Sequence, residues 1–270
     1  MSLSRPILLL ILCTGLMICT PAGAAISVGQ NQEGQEEQDN ARAGELMRNA
    51  IKARGGDAYL NIKEMTSRGE YTRYEKGAST LPVDFLDYIA NPDKERTEFG
   101  KGGHRTILAN SGETGWTYDA EAKLIKDQTE QQVKDYLQGA RYDLDNLMKR
   151  GWKESGSKLV YLGRREAWKD TFSEAIRIEF SDGANVTIHF DRRTGLPMMV
   201  EFKRVGEDGP KNEQVRYYQW LDYNGVKFPK IQDSYRDGKQ TSRVYYDTIT
   251  FNTPIPARLF EKPSNPKEVK

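Results

Sequence analysis

The sequence predicts a mainly β protein: a single curled antiparallel sheet of about eleven strands, one helix before it and helices in the middle. Three observations predict it. Apolar residues recur at period two over most of the chain after Lys63. Turn residues separate those runs at short intervals, as in Asn91-Pro92-Asp93, Ser181-Asp182-Gly183-Ala184, Asn224-Gly225 and Asp237-Gly238. Helical spacing is confined to two places. Strands joined by short turns pair antiparallel, because parallel neighbours need crossover connections.

Residues 1–24 read as a cleavable signal peptide. Arg5 gives a positive start, Ile7 to Ile18 an apolar run, and Ala22-Gly23-Ala24 a small-residue cleavage site. The apolar run is shorter than the roughly twenty residues a membrane span needs, so no stable span is expected after cleavage. Leu12 and Ile18 precede Cys13 and Cys19, which disfavours lipidation at either cysteine. The expected location is the bacterial periplasm or the medium.

Residues 25–40 are rich in Gln and acidic side chains with no apolar run, and are expected to form a disordered linker. The main domain is expected over residues 41–263. It opens with one amphipathic helix, in which Leu46, Met47, Ala50 and Ile51 share a stripe and Gly55-Gly56 ends it. Strands are then expected near 64–76, 81–90, 94–99, 104–109 and 114–119. Over 130–150, Val133, Tyr136, Leu137, Leu144, Leu147 and Met148 fall at helical spacing, with Gly139 dividing two short helices. Strands resume from Lys158, and residues 264–270 form a C-terminal tail.

The clearest alternation spans Ala175–Phe180 and Val186–Phe190. It places Ile176, Ile178, Phe180, Val186, Ile188 and Phe190 on one face, expected to be the floor of a hydrophobic groove beneath the helices. Arg177, Glu179, Thr187 and His189 fall on the other face. A sheet this long must curl, split or close to manage its edges. A transmembrane barrel is disfavoured, because the polar faces carry many charges and the helices would have no place.

The charge balance excludes other classes. The chain holds 40 Lys+Arg and 39 Asp+Glu in 270 residues, which removes the usual electrostatic argument for a nucleic acid partner. Mean hydropathy is −0.74, which places the chain in water. Both cysteines lie in the first twenty residues, so the main domain has no thiol, disulfide or Cys-based zinc site. His104 and His189 are far apart and are expected to be ordinary surface histidines in strands. Neither a nucleophile elbow nor a phosphate loop is present. Asp143 and Asp145 hint at a calcium loop, but the glycine and terminal Glu are missing, and helix capping or solvation explains them better. No catalytic residue, metal or cofactor is assigned. The aromatic run from Tyr217 to Tyr246 is explained first by the strand preference of Tyr, and second by groove lining.

The order of the turn motifs resembles the outer-membrane lipoprotein-sorting family, the LolA/LolB-like periplasmic lipoprotein carriers. The matching residues are Ala53-Arg54-Gly55-Gly56, Gly112-Glu113-Thr114-Gly115-Trp116 and Tyr161-Leu162-Gly163-Arg164-Arg165. Further along come Phe190-Asp191-Arg192-Arg193-Thr194-Gly195-Leu196-Pro197, Asn224-Gly225-Val226-Lys227-Phe228-Pro229 and Ile249-Thr250-Phe251-Asn252, then Phe260 and Pro263. The resemblance implies an open half-barrel with helices as a lid and an acyl chain in its concavity. It implies a non-catalytic binding or carrier protein for lipid or lipoprotein acyl chains. The alternative is an envelope sensor or scaffold that binds a protein partner through the same fold.

Overall fold

The computed structural model of the protein describes residues 24–206 and 209–269. Apart from Ala24, the expected signal peptide lies outside the described residues. The first element is a helix, α1 (Ala24–Ala53). It begins well before the expected helix start, so residues 26–40, read from composition as a disordered linker, are helical. The composition misled for a physical reason. Gln and Glu are good helix formers, yet they leave no apolar stripe to read. Near the end of α1, Ala43, Met47, Ala50 and Ile51 are buried and Leu46 packs against them.

A short helix, α2 (Asp57–Leu60), leads into β1 (Glu64–Glu75), β2 (Ala78–Ser79), β3 (Val83–Ala90) and β4 (Lys94–Phe99). Next come β5 (Thr106–Ser111), β6 (Thr114–Asp119) and β7 (Leu124–Asp127). The helices α3 (Glu130–Tyr142) and α4 (Leu144–Lys149) follow. The chain returns to strands with β8 (Lys158–Trp168), β9 (Thr171–Glu179), β10 (Asn185–Phe190) and β11 (Pro197–Gly206). It closes with β12 (Gly209–Tyr223), β13 (Val226–Arg236) and β14 (Lys239–Phe251). The sheet and the helices packed on it belong to one compact unit, Gln38–Lys270.

All pairings are antiparallel, in one open sheet of 14 strands rather than about eleven. The short strands β2 and β7 bury almost nothing and therefore carry no apolar alternation to read. His104 lies in a one-turn 3-10 helix, Gly102–His104, and not in a strand. Gly139 does not divide the mid-chain helices: α3 continues through it to Tyr142, and the break falls at Asp143.

The strand order is β7-β6-β5-β4-β3-β1-β14-β13-β12-β11-β10-β9-β8, with β2 beside β1. The first strand thus pairs with the last in the middle of the sheet, and the two free edges are β7 and β8. Those edge strands are joined by α3 and α4. The mid-chain helices must therefore travel from one edge of the sheet to the other, across one of its faces.

Two glycines make this backbone possible. A Cβ at Gly69, where β14 bulges against β1, would lie 1.8 Å from the Tyr245 carbonyl oxygen. At Gly55, just past α1, φ is 124° and a Cβ would lie 2.4 Å from the Gly225 carbonyl oxygen. No L side chain fits either position without moving backbone.

The main core lies between the helices and β9–β13. It joins Met47, Ala50, Leu147 and Met148 to Ile176, Ile178, Ile188, Val200, Tyr217 and Val226. On the opposite face of β4–β6, Ile107, Ala109, Trp116 and Tyr118 form a second cluster, closed by the C-terminal residues. There Trp116 Nε1 donates to the Phe260 carbonyl at 3.0 Å and Arg96 Nη1 to that of Leu259 at 2.9 Å. The expected tail packs as well, with Val269 against the same cluster.

Candidate functional site

The end of α1 sets the site. Gly55 and Gly56 adopt positive φ and stop the helix, and Gly56 N donates back to the Ile51 carbonyl at 2.9 Å. Arg54, the residue before them, is fully buried. Its backbone carbonyl accepts from Lys227 N at 2.9 Å, which pins it to the start of β13. Its Nη1 donates to the Tyr59 hydroxyl at 2.8 Å and to the Asp145 carboxylate of α4. The Tyr59 hydroxyl also donates to Asp145, at 3.1 Å. The guanidinium lies 4.0 Å from the Tyr59 ring centroid and 5.1 Å from that of Trp220. Burial alone would raise the Asp145 carboxyl, but Arg54 and then Lys149 outweigh it and hold it below the usual carboxylate range.

Asp143 caps α4, its Oδ1 accepting from Asp145 N at 2.9 Å and Asn146 N at 3.2 Å. Of the two sequence readings of Asp143, capping or solvation, capping is its local role.

Beside this pair lies a cavity of about 290 Å³. Its sheet wall includes Met65, Asp87, Ile89, Glu95, Phe228, Gln232 and Tyr246, and its helical wall Tyr136, Gly139, Ala140, Asp143 and Leu144. A second recess, about 380 Å³, meets it at Glu95 and Tyr136 and continues along Thr97, Phe99, Leu108 and Asn110.

Three carboxyls face the cavity with raised pKa values. Burial pushes Asp87 up to about 7, against hydrogen bonds from Thr97 and the Tyr88 backbone. Burial, then the charges of Asp87 and Asp143, push Glu95 up to about 8. Burial and the neighbouring Asp145 raise Asp143 to about 6. Asp87 accepts from Thr97 Oγ1 at 2.8 Å. Among the described residues the Glu95 side chain has no hydrogen bond and no ion pair. No group of three or more His, Cys, Asp or Glu among the described residues is placed to hold a metal ion.

The structure brings the six residues of the expected groove together. Ile176, Ile178, Val186 and Ile188 are fully buried, Phe190 is 1% exposed and Phe180 5%. All six lie in the main core cluster with α1 and α4. None of them lines the cavity, which opens instead at the other half of the sheet. The sequence reading missed Arg54, Tyr59, Asp87 and Glu95. One signal was present in the alternation of β3: Asp87 sits between Phe85 and Ile89 on one face, an acid in an apolar row.

The opposite face of β9–β10 also differs from expectation. His189 is 2% exposed and Thr187 9%, so neither is a surface residue. His189 Nδ1 lies 2.8 Å from Ser173 Oγ, and its Nε2 lies 3.3 Å from Glu201 Oε1. The row has the order of a hydrolytic Ser-His-acid chain. Ser173, however, has no solvent exposure and its hydroxyl also donates to the Arg165 carbonyl at 3.2 Å, so no substrate reaches it. The aromatic run divides. Tyr217, Phe228 and Tyr246 line the cavity, while Tyr218 packs on Trp168 and Tyr235 on Arg216.

An open antiparallel sheet with a helical connection laid from edge to edge defines the class of fold. It is the LolA-like fold. The chain is similar to a LolA superfamily protein from Nitrosomonas europaea, with TM-score 0.52, 11% identity, and coverage of 82% of this chain and 97% of that one. It is also similar to a DUF1329 family protein from Desulfovibrio piger, with TM-score 0.57, 10% identity and coverage of 83% and 97%. A putative outer membrane lipoprotein-sorting protein domain from Vibrio parahaemolyticus gives TM-score 0.51 at 12% identity, covering 81% and 97%. No protein-family model and no curated protein matches the sequence. No described helix is long and apolar enough to cross a membrane.

Proposed function

We propose that the protein is an exported, non-catalytic carrier that holds a lipid or lipoprotein acyl chain in the bacterial envelope. The observation that carries this reading is the connection from β7 to β8. Its two helices span the sheet face and roof a cavity beside the core, an arrangement that a chain can enter when the helices lift. Arg141 of α3 lies 4.4 Å over the Phe180 ring, and Leu147 and Met148 of α4 pack in the same cluster as Ile176, Ile178, Val186, Ile188 and Phe190. In this reading those six residues become the acyl floor once the helical pair swings out. Burying methylenes contributes about 0.8 kcal/mol each, so a 16-carbon chain gains on the order of 10 kcal/mol before ordering costs.

Native mass spectrometry of the protein taken from an envelope fraction tests the reading. A retained lipid mass is the expected result. A retained polypeptide points instead to a protein-binding scaffold. Empty protein that also ignores a fluorescent fatty acid overturns the carrier reading. N-terminal sequencing of the same sample should begin at Ala25 or Ile26, without lipid.

A further inference from the structure

The reverse face of the sheet carries a recess of its own. On β12 and β13, Tyr217 and Gln232 pair with each other and line the cavity. Arg216 and Tyr218, with their partners Asp233 and Ile231, therefore alternate onto the other face. There a space of about 770 Å³ opens, within the size range of small-molecule sites. Tyr217 is the one described residue common to both walls.

The recess is lined by aromatic rings that no core requires. Trp168, Tyr218 and Tyr235 lie on its wall, are half-buried, and belong to none of the hydrophobic clusters. Arg216 is not on the wall but holds two of these rings. Its guanidinium lies 4.1 Å from the Tyr235 ring centroid and 5.2 Å from that of Trp168, and its Nη2 donates to Gln214 Oε1 at 2.9 Å. The Trp168 and Tyr218 rings meet at 5.9 Å and 57°. Rings fixed before a ligand arrives lose little freedom when it binds.

The polar groups on the same wall are also set in advance. Asp233 is 2% exposed and accepts from Arg243 Nε and Nη2, both at 2.7 Å, which fixes the plane of that guanidinium. The fork uses two of the five N–H groups of Arg243, whose side chain is 42% exposed. Gln219 is exposed, and its amide bonds nothing among the described residues. Its φ is 53°, inside β12. Left-handed backbone costs energy at a residue other than glycine, and such strain concentrates at ligand sites.

The charged side chains of the wall are Asp191, Asp233, Lys227 and Arg243, which cancel, so the recess favours an uncharged ligand. A hydrocarbon would leave Arg243 and Gln219 unanswered. A sugar ring meets both requirements, with a C–H face for the negative face of an aromatic ring and a rim of hydroxyls that each donate and accept. We propose that this recess binds an uncharged oligosaccharide, its C–H faces against Trp168, Tyr218 and Tyr235 and its hydroxyls on Arg243 and Gln219. The site does not depend on the carrier reading.

The test is titration of the mature chain with chitotetraose, cellotetraose and maltotetraose, followed by calorimetry and by tryptophan fluorescence, with adenosine and dodecanol as ligands of other classes. At least one of the sugars should bind saturably, change the fluorescence, and bind at least tenfold more tightly than adenosine or dodecanol does in competition with it. Trp168→Ala should weaken that sugar at least tenfold. Gln219→Gly should weaken it several-fold without lowering Tm, because glycine adopts φ 53° freely. This second variant decides the matter if Trp168→Ala does not fold. Binding of none of the three sugars overturns the proposal. So does displacement of the sugar by adenosine or dodecanol at equal concentration, or sugar affinity that is unchanged in Gln219→Gly.

Discussion

Arg54, at the end of α1, and Asp145, in α4, form an ion pair 91 residues apart in the chain, and the Arg54 side chain is 1% exposed against 25% for Asp145. It is the polar joint between the first helix and the helical connection that crosses the sheet. Tyr59 closes it from a third element by bonding both partners. Desolvating a guanidinium is expensive, and here a carboxylate, a phenol and two ring faces replace the lost water.

The asymmetry of burial predicts an asymmetric cost. Asp145→Ala strands a fully buried cation and should destabilise by about 3–5 kcal/mol in urea unfolding. Arg54→Leu leaves a carboxylate that water and Lys149 still reach, so it should cost less. The double variant should be less destabilised than the two costs added, by at least 1 kcal/mol. Additive costs would mean that the pair is not a coupled joint. Asp145 has a depressed folded pKa, so its contribution is present above the unfolded value of about 4 and is lost as pH falls below it.

The cavity acids predict the opposite pH trend. Asp87, Glu95 and Asp143 have folded pKa values raised to about 7, 8 and 6. Between the unfolded values near 4 and these, the folded state binds more protons than the unfolded state, so stability falls as pH rises. That contribution is complete below about pH 4 and is lost through pH 6–8. Glu95→Gln should therefore raise Tm at pH 8.5 by a few degrees, about 2–4 °C per kcal/mol for a domain of this size, and leave it unchanged near pH 4. A Tm that drops at pH 8.5 would show that the Glu95 charge stabilises the fold.

What the sequence discloses follows the range of each interaction. The β9–β10 hairpin is legible because its apolar alternation and its turn are local. The length of α1 is not, because Gln and Glu before residue 41 have helical propensity but give the sequence no apolar stripe to read. The cavity is harder still. Asp87 and Glu95 meet only through the β3–β4 register, where Ile89 pairs with Glu95 and Asp87 with Thr97. Asp143 joins them only because α3 and α4 must cross from β7 to β8. His189 reads as a surface residue by alternation, but it is buried because Ser173 and Glu201 satisfy both ring nitrogens.

Backbone crowding gives a test of the β1–β14 seam. Gly69→Ala places a Cβ against the Tyr245 carbonyl, which must move at the centre of the sheet. The expected cost is roughly 2 kcal/mol or more, in the range of overpacked cores. Gly103→Ala meets nothing within 4 Å and has no positive φ, so it should change stability by less than about 0.5 kcal/mol. Equal effects in thermal unfolding would remove the case for a forced glycine at the bulge.

If the helical connection is the gate, fixing it to the sheet must slow exchange of whatever lies beneath. Arg141 Nη1 donates to Asp182 Oδ2 at 2.6 Å, joining the end of α3 to the β9–β10 turn. The pair is partly exposed, so replacing it should cost no more than about 1 kcal/mol. Arg141→Cys with Asp182→Cys therefore leaves a folded protein with two thiols at the rim. Cys13 and Cys19, the two native cysteines, both precede the expected cleavage site, so the mature chain supplies no competing thiol. Joining the pair with a short bismaleimide that contains a disulfide should slow release of a fluorescent fatty acid at least tenfold by stopped flow. Reducing the linker should restore the original rate. A second pair linked across β5 and β6, away from the helices, should leave release unchanged. Unaltered release from the linked α3 rim would show that ligand passes by another route, such as the open side of the recess at Phe99 and Leu108.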